Sequence, residues 1–225
     1  MLTILLEDKH IIICVKPVGV LSQSGQGEDM DMITLLKEYR KNKKESDYIG
    51  LIHRLDRNVG GVMVFAKTEL AAKKLSVAIM ERNFTKEYMT VIHGNPPEQS
   101  GILKDLMFKD SSKNKSFVVK RIRKGVKEAS LEYRVIETIG AEEEELSLIR
   151  VKLHTGRTHQ IRVQFASRKL PLVGDGKYGG KDNCEIALWS YRLAFVHPFT
   201  NTLVDIKQSP PAQYPFDLFL DNGQA

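Results

Sequence analysis

The run His53-Arg54-Leu55-Asp56-Arg57-Asn58-Val59-Gly60-Gly61 passes without a break into Val62-Met63-Val64-Phe65-Ala66-Lys67. The second half is a compact apolar stretch of strand length, suited to a buried strand. The first half is polar and carries an aspartate between two arginines, followed by paired glycines that permit unusual backbone angles or a close approach. That pattern suits a carboxylate held ionised beside a phosphate-bearing substrate, and a purely structural ion pair accounts for the same residues. Thr68 and Glu69 then open a helix whose Ala71, Leu75, Ala78 and Ile79 share one face. A polar loop, a buried strand and an amphipathic helix thus stand in succession at the centre of the pattern.

Towards the N-terminus, Ile4 to Leu6 and Ile11 to Lys16 read as a strand hairpin, because β-branched residues cluster there and Pro17 and Gly19 end the second strand. Met32, Leu35, Leu36 and Tyr39 recur at helical spacing behind a capping Asp31, and Arg40 to Lys44 supply cations where the helix dipole favours them. Towards the C-terminus, Glu87 to His93 and Leu131 to Ile136 read as strands, and Ile149, Val151 and Leu153 alternate with Arg150, Lys152 and His154 across a half-buried one. Glu142 to Glu145 reads as a solvated turn. The tail with Pro210, Pro211 and Pro215 is expected to hug the surface. No internal repeat and no low-complexity linker is visible. The expectation is one α+β domain over residues 1–225, with a large, mostly antiparallel sheet flanked by short helices and loops.

The longest apolar stretch near the N-terminus, Ile11 to Val15, falls far short of the roughly 18 residues a membrane span needs. No basic head precedes an apolar signal core, so the cytoplasm is the expected compartment. Cys14 and Cys184 are too far apart for a metal-ligand pair and too few for a disulfide framework, and both are read as reduced. A net charge of +6 favours an acidic partner, nucleic acid above all. That charge is concentrated. From Lys104 to Lys127 nine basic residues, among them Lys120, Arg121, Arg123 and Lys124, face only Asp105 and Asp110. Such a stretch is either a solvated hairpin or an RNA-contacting arm; Phe108 and Phe117 favour the arm, since apolar groups brace a strand whose phosphates meet the lysines.

A second polar segment, Leu153-His154-Thr155-Gly156-Arg157-Thr158-His159-Gln160-Ile161-Arg162-Val163, joins a strand through a glycine turn to a short helix expected to be capped by Thr158 and to run to about Ser167. This puts polar donors at a helix N-terminus, where anions bind readily. A zinc reading of His154 and His159 fails on ligand count, and no metal is expected.

Together these segments resemble the RluA family of pseudouridine synthases. His53 to Lys67 resembles its HRLDxxTSG signature and Thr155 to Val163 its TGRTHQIR segment. Lys86-Glu87-Tyr88 resembles its KxY element and Leu188 to Pro198 its LHAxxLxFxHP strand. The resemblance implies an enzyme that isomerises a uridine in rRNA or tRNA, with Asp56 as catalytic aspartate and Tyr88 packed against the target base. Arg162 would be the basic residue paired with the aspartate, and Leu188 the apolar lining of the pocket. Arg54 and Arg57 would flank the nucleophile, Arg57 engaging the backbone or the displaced base. No cofactor is implied, and a monomer is expected.

The chain departs from the pattern where Val59 and Gly60 replace Thr and Ser, Gln164 replaces His, and Trp189-Ser190 replaces His-Ala. The sequence begins almost at its first strand, which leaves no room for an N-terminal S4 RNA-binding module, so target selection is expected to rest on the catalytic domain and the Lys104 to Lys127 stretch. Two rival readings remain. One is a catalytically inactive relative that binds or remodels RNA, for which Asp56, Tyr88 and Arg162 would have no use together. The other is a hydrolase of phosphorylated small molecules, whose metal cluster or nucleophile dyad is not visible.

Overall fold

The computed structural model of the protein describes residues 2–24, 30–141 and 145–219. Among them run eleven strands and three α-helices, the α+β, mostly antiparallel composition that the pattern predicts. The backbone gathers into two compact units. One comprises the residues up to Lys86 with Ser190–Ser209; the other comprises Glu87–Trp189 with the residues from Pro210 onward.

In the first unit β1 (Thr3–Glu7) and β2 (Ile11–Lys16) form the expected hairpin. Its turn is fixed by Asp8, whose carboxylate accepts the His10 and Ile11 N–H groups at 2.7 and 2.8 Å. Strand β2 runs antiparallel to β4 (Gly60–Ala66), with Ile11 opposite Ala66 and Lys16 opposite Gly61. The short β3 (Gly50–Leu51) pairs with β4 as well. This register brings the end of β2 to the root of the polar loop that precedes β4. Helix α1 (Met32–Asn42) is capped by Asp31, and α2 (Glu69–Met80) by Thr68, as their sequences predict. Arg40 and Lys41 put their cations in the last turn of α1, as the sequence predicts, and Arg40 does more. It is buried and donates to the carbonyls of Tyr48 and Lys67, satisfying backbone oxygens where α1 meets the exit of β4. Strands β10 (Leu188–Val196) and β11 (Leu203–Lys207) pair antiparallel. Ile11, Ile13, Val62, Val64, Leu75, Phe84, Leu193, Phe195 and Val204 form the core of this unit, and each stabilises it by roughly 1.5–3 kcal/mol through burial.

In the second unit the order is β5 (Phe84–His93), β9 (Leu146–Leu153), β8 (Val126–Ile139), β6 (Ser100–Asp110) and β7 (Lys115–Val119), each antiparallel to its neighbour. The basic stretch therefore occupies β6, β7 and the turns between them and β8. Helix α3 (Gln160–Ala166) sets Val163 against Met107 and Ala129. Thr158 does not cap it. The helix starts two residues later, after His159 in a left-handed conformation (φ 54°) that makes no side-chain cap bond. The local donors are met instead by the Gln160 side chain, whose Oε1 accepts Arg157 N–H at 3.0 Å and Thr155 Oγ1–H at 2.8 Å.

The proline-rich tail ends its described part in a 3-10 turn, Phe216–Phe219, that buries both phenylalanines. Both cysteines are free thiols, Cys14 buried. Of the acidic turn, residues 142–144 lie outside the described part of the chain. Among the described residues no helix is long and apolar enough to cross a membrane.

Candidate active site

Asp56 sits in a loop whose shape is imposed from outside. Its carbonyl accepts Val59 N–H at 3.0 Å, closing a turn through Arg57 and Asn58. One residue before it, Leu55 is held at both backbone groups by one hydroxyl. Ser22 Oγ accepts Leu55 N–H and donates to Leu55 O, each at 2.9 Å. One residue after it, the Arg57 carbonyl accepts Gly19 N–H and the Lys16 ammonium, both at 3.0 Å, while Arg57 Nε donates back to Gly19 O at 3.0 Å. Lys16 also donates to Pro17 O at 2.8 Å and Val20 O at 2.6 Å, so its three N–H donors all meet carbonyls. This lysine is wholly buried. Burial drives its ammonium down to about 8, against the pull of the neighbouring Asp56 carboxylate.

His53 opens the loop with a buried ring whose Nε2 accepts Val64 N–H at 3.3 Å. Burial, and then the cation of Lys86, push it down to about 3, so the imidazole is neutral at physiological pH. Beyond the loop, Gly61 has φ +117°, and a Cβ there would overlap the Ser190 carbonyl oxygen and stand 2.6 Å from the Ser190 nitrogen. Ser190 itself is buried and donates its hydroxyl to Val62 O at 2.9 Å. Its place in the departing Trp189-Ser190 pair thus serves packing against β4. Val59, the other departure beside the aspartate, is buried. Arg54 and Arg57 are exposed.

In the second unit Tyr88 is buried on β5 opposite Val151, and Leu188 is buried at the start of β10. Arg162 on α3 forms a bidentate pair with Asp175, through Nε at 2.8 Å and Nη2 at 2.7 Å. Asp175 was not singled out by sequence reasoning, although glycines crowd around it in Gly174-Asp175-Gly176-Lys177-Tyr178-Gly179-Gly180, a density that marks a tightly specified loop. Lys16 and Ser22 were missed too: one looked like the polar end of a strand and the other like a loop residue. Gln164, in place of the family's histidine, is buried and donates to Asp105 at 2.6 Å.

Lys120, Arg121, Arg123 and Lys124 are all exposed between β7 and β8. Arg123 lies over the Phe108 ring at 4.6 Å, and Ile122 is exposed beside it. Among the described residues no group of His, Cys, Asp and Glu has the arrangement to hold a metal ion.

A family model described as RNA pseudouridylate synthase matches residues 10–167 and so takes in the Asp56 loop, Tyr88 and Arg162. The chain belongs to this family. Among curated proteins, RNA pseudouridylate synthase relatives include an uncharacterized RNA pseudouridine synthase of Synechocystis, 31% identical over 95% of this chain and 67% of that protein. Ribosomal large subunit pseudouridine synthase C of Buchnera aphidicola is 36% identical over 97% of the chain and 70% of its own length. For synthase D of Yersinia pestis the figures are 35%, 80% and 53%, so the chain spans about half to two thirds of the relatives it matches. The fold is that of human RNA pseudouridylate synthase domain containing 4, with a TM-score of 0.75 at 21% identity over 93% of this chain and 88% of that one.

Proposed function

We propose that this protein converts a uridine of ribosomal or transfer RNA to pseudouridine, with Asp56 as the catalytic carboxylate. The observation that carries this reading is the loop around Asp56. Main-chain groups on both sides of it are fixed by Ser22, Gly19 and Lys16, and prior fixation of a reacting group is what an isomerisation of a bound base demands. The target nucleotide is flipped from its stack, the C1′–N1 bond breaks, the uracil turns, and a C1′–C5 bond forms. The proton lost from C5 is balanced by one gained at N1, so atoms and charge close without a redox partner or a cofactor.

In this reading Asp56 attacks the sugar or C6 of the base, or removes the C2′ proton, and Arg162 is its cationic partner. Tyr88 stacks on the uracil, and Leu188 keeps water from the freed ring. Arg54 and Arg57 flank the nucleophile. Lys120, Arg121, Arg123 and Lys124 meet RNA phosphates, which position the substrate without performing the chemistry. The protein acts as a monomer in the cytoplasm.

The test uses ribosomal and transfer RNA labelled with tritium at C5 of uridine, taken from cells that lack the protein. Each isomerisation releases the label to water. Wild-type protein should release it and Asp56→Asn should not, while still binding RNA. Release by the pure variant removes Asp56 from the role, and RNA binding without release by wild type favours the inactive relative instead.

A further inference from the structure

The Arg162 side chain is almost enclosed, and the Asp175 carboxylate that grips it is entirely so. A buried ion pair of this kind is a poor device for stability, because desolvating two charges offsets most of their attraction and well-packed apolar side chains do as well. It is a good device for fixing where a guanidinium points, since two parallel bonds to one carboxylate leave it no rotation.

The loop around Asp175 is built to the same end. Asp175 N–H donates to Leu172 O at 3.1 Å, and its carbonyl accepts Tyr178 N–H at 3.0 Å and Gly180 N–H at 2.9 Å. Gly174 (φ +73°) and Gly180 allow backbone contacts that a Cβ would block, the first against Glu185 and the second 2.5 Å from Leu172 O. The Tyr178 ring then covers the guanidinium at 5.3 Å, and its hydroxyl is held by Ser116 N–H at 2.8 Å and His159 Nδ1 at 2.9 Å. One edge and one face of Arg162 are therefore fixed by residues to which the isomerase reading gives no part.

We propose that Asp175 is a positioning residue: by holding the Nε and Nη2 edge of Arg162, it fixes where the Nη1 edge lies for the reaction at the target uridine. This rests on the isomerase reading above. Asp175 touches neither base nor sugar and acts only through the arginine.

The experiment compares single-turnover tritium release at saturating labelled RNA, RNA affinity and melting temperature for wild type, Asp175→Asn, Asp175→Glu, Arg162→Lys and the double variant Asp175→Asn/Arg162→Lys. Asp175→Asn should slow release about a hundredfold, the loss that a misplacement of roughly 1 Å brings, without weakening RNA binding. Asp175→Glu, which keeps the charge one methylene away, should recover part of the rate. The double variant should be no slower than Arg162→Lys, because the two residues act as one unit.

An unchanged rate in Asp175→Asn, or losses that multiply in the double variant, overturns the proposal. Should Asp175→Asn not fold, arginine labelled with 15N in the wild-type protein still decides. The Arg162 Nε–H signal, identified by its loss in Arg162→Lys, should resist exchange with water, and fast exchange refutes the grip. If Asp56→Asn and Arg162→Lys silence release while Asp175→Asn does not, this inference alone fails; if Asp56→Asn still turns over, or wild type releases nothing, the isomerase reading fails and takes it along.

Discussion

Lys16 and Arg57 stand 41 positions apart in the chain, and the ammonium of the first donates to the carbonyl of the second at 3.0 Å. Through this bond the end of strand β2 carries the loop that holds Asp56.

Lys16→Met should therefore leave the carbonyls of Pro17 and Val20 without their donor and cost about 1–3 kcal/mol of stability at pH 7. It should also change how stability depends on pH. The folded lysine releases its proton at about 8 and an unfolded one at 10.5, so between these values the unfolded chain binds more protons and this group makes stability rise with pH. Cys14 opposes it above pH 9, because burial holds its thiol up at about 12. The readout is thus the difference between wild type and variant in urea midpoint across pH 8 to 10.5: wild type should gain on Lys16→Met. Parallel curves would show that Lys16 is not held in this state.

The His53 ring should stay neutral far into acid. In the folded protein it takes a proton only at about 3, against 6.5 when unfolded, so it contributes stability above pH 6.5 that is lost as pH falls through that window. Its ring resonances, followed by NMR, should titrate well below pH 5. A midpoint near 6.5 would contradict the buried, neutral imidazole that accepts Val64 N–H.

Gly61 and Gly19 both have positive φ, but only Gly61 meets a neighbouring backbone. Gly19→Ala should cost about 1–2 kcal/mol, the strain of a left-handed residue in open space. Gly61→Ala adds a collision with Ser190 and should cost more than about 3 kcal/mol, or prevent folding. Urea unfolding of both variants checks the order, and equal losses would argue against the close approach of β4 to Ser190.

Much of this was readable in the sequence and some was not. The hairpin of β1 and β2, the caps of α1 and α2 and the buried strand β4 follow from local periodicity and capping chemistry, so they were visible. Asp56 stands out as a candidate because its neighbours form a dense motif. Lys16, Ser22 and Asp175 acquire their parts only from residues 41, 33 and 13 positions away, and no local pattern announces such a partner. The start of α3 was misjudged for a related reason. Thr158 has the chemistry of a cap, but Gln160 reaches back to Thr155 and Arg157 and satisfies that turn itself.

Replacing Lys120, Arg121, Arg123 and Lys124 with Gln should weaken RNA binding and flatten its salt dependence. For a single strand, each lost phosphate contact lowers the logarithmic slope by about 0.7. Because all four residues are exposed, melting temperature should hold, and the single-turnover rate at saturating RNA should change far less than the affinity. Equal affinities and slopes would reduce the stretch to a solvated hairpin.

The hydroxyl of Ser22, giving and taking a bond at Leu55, does for the Asp56 loop what a neighbouring strand does for a sheet. The loop hangs from its own backbone, and the exposed side chain of Asn58 takes no part in suspending it. Asn58, which falls on an open position of the HRLDxxTSG pattern, can therefore be exchanged while the Asp56 carboxylate keeps its place, so an exposed contact beside the aspartate can change without disturbing the loop that carries it.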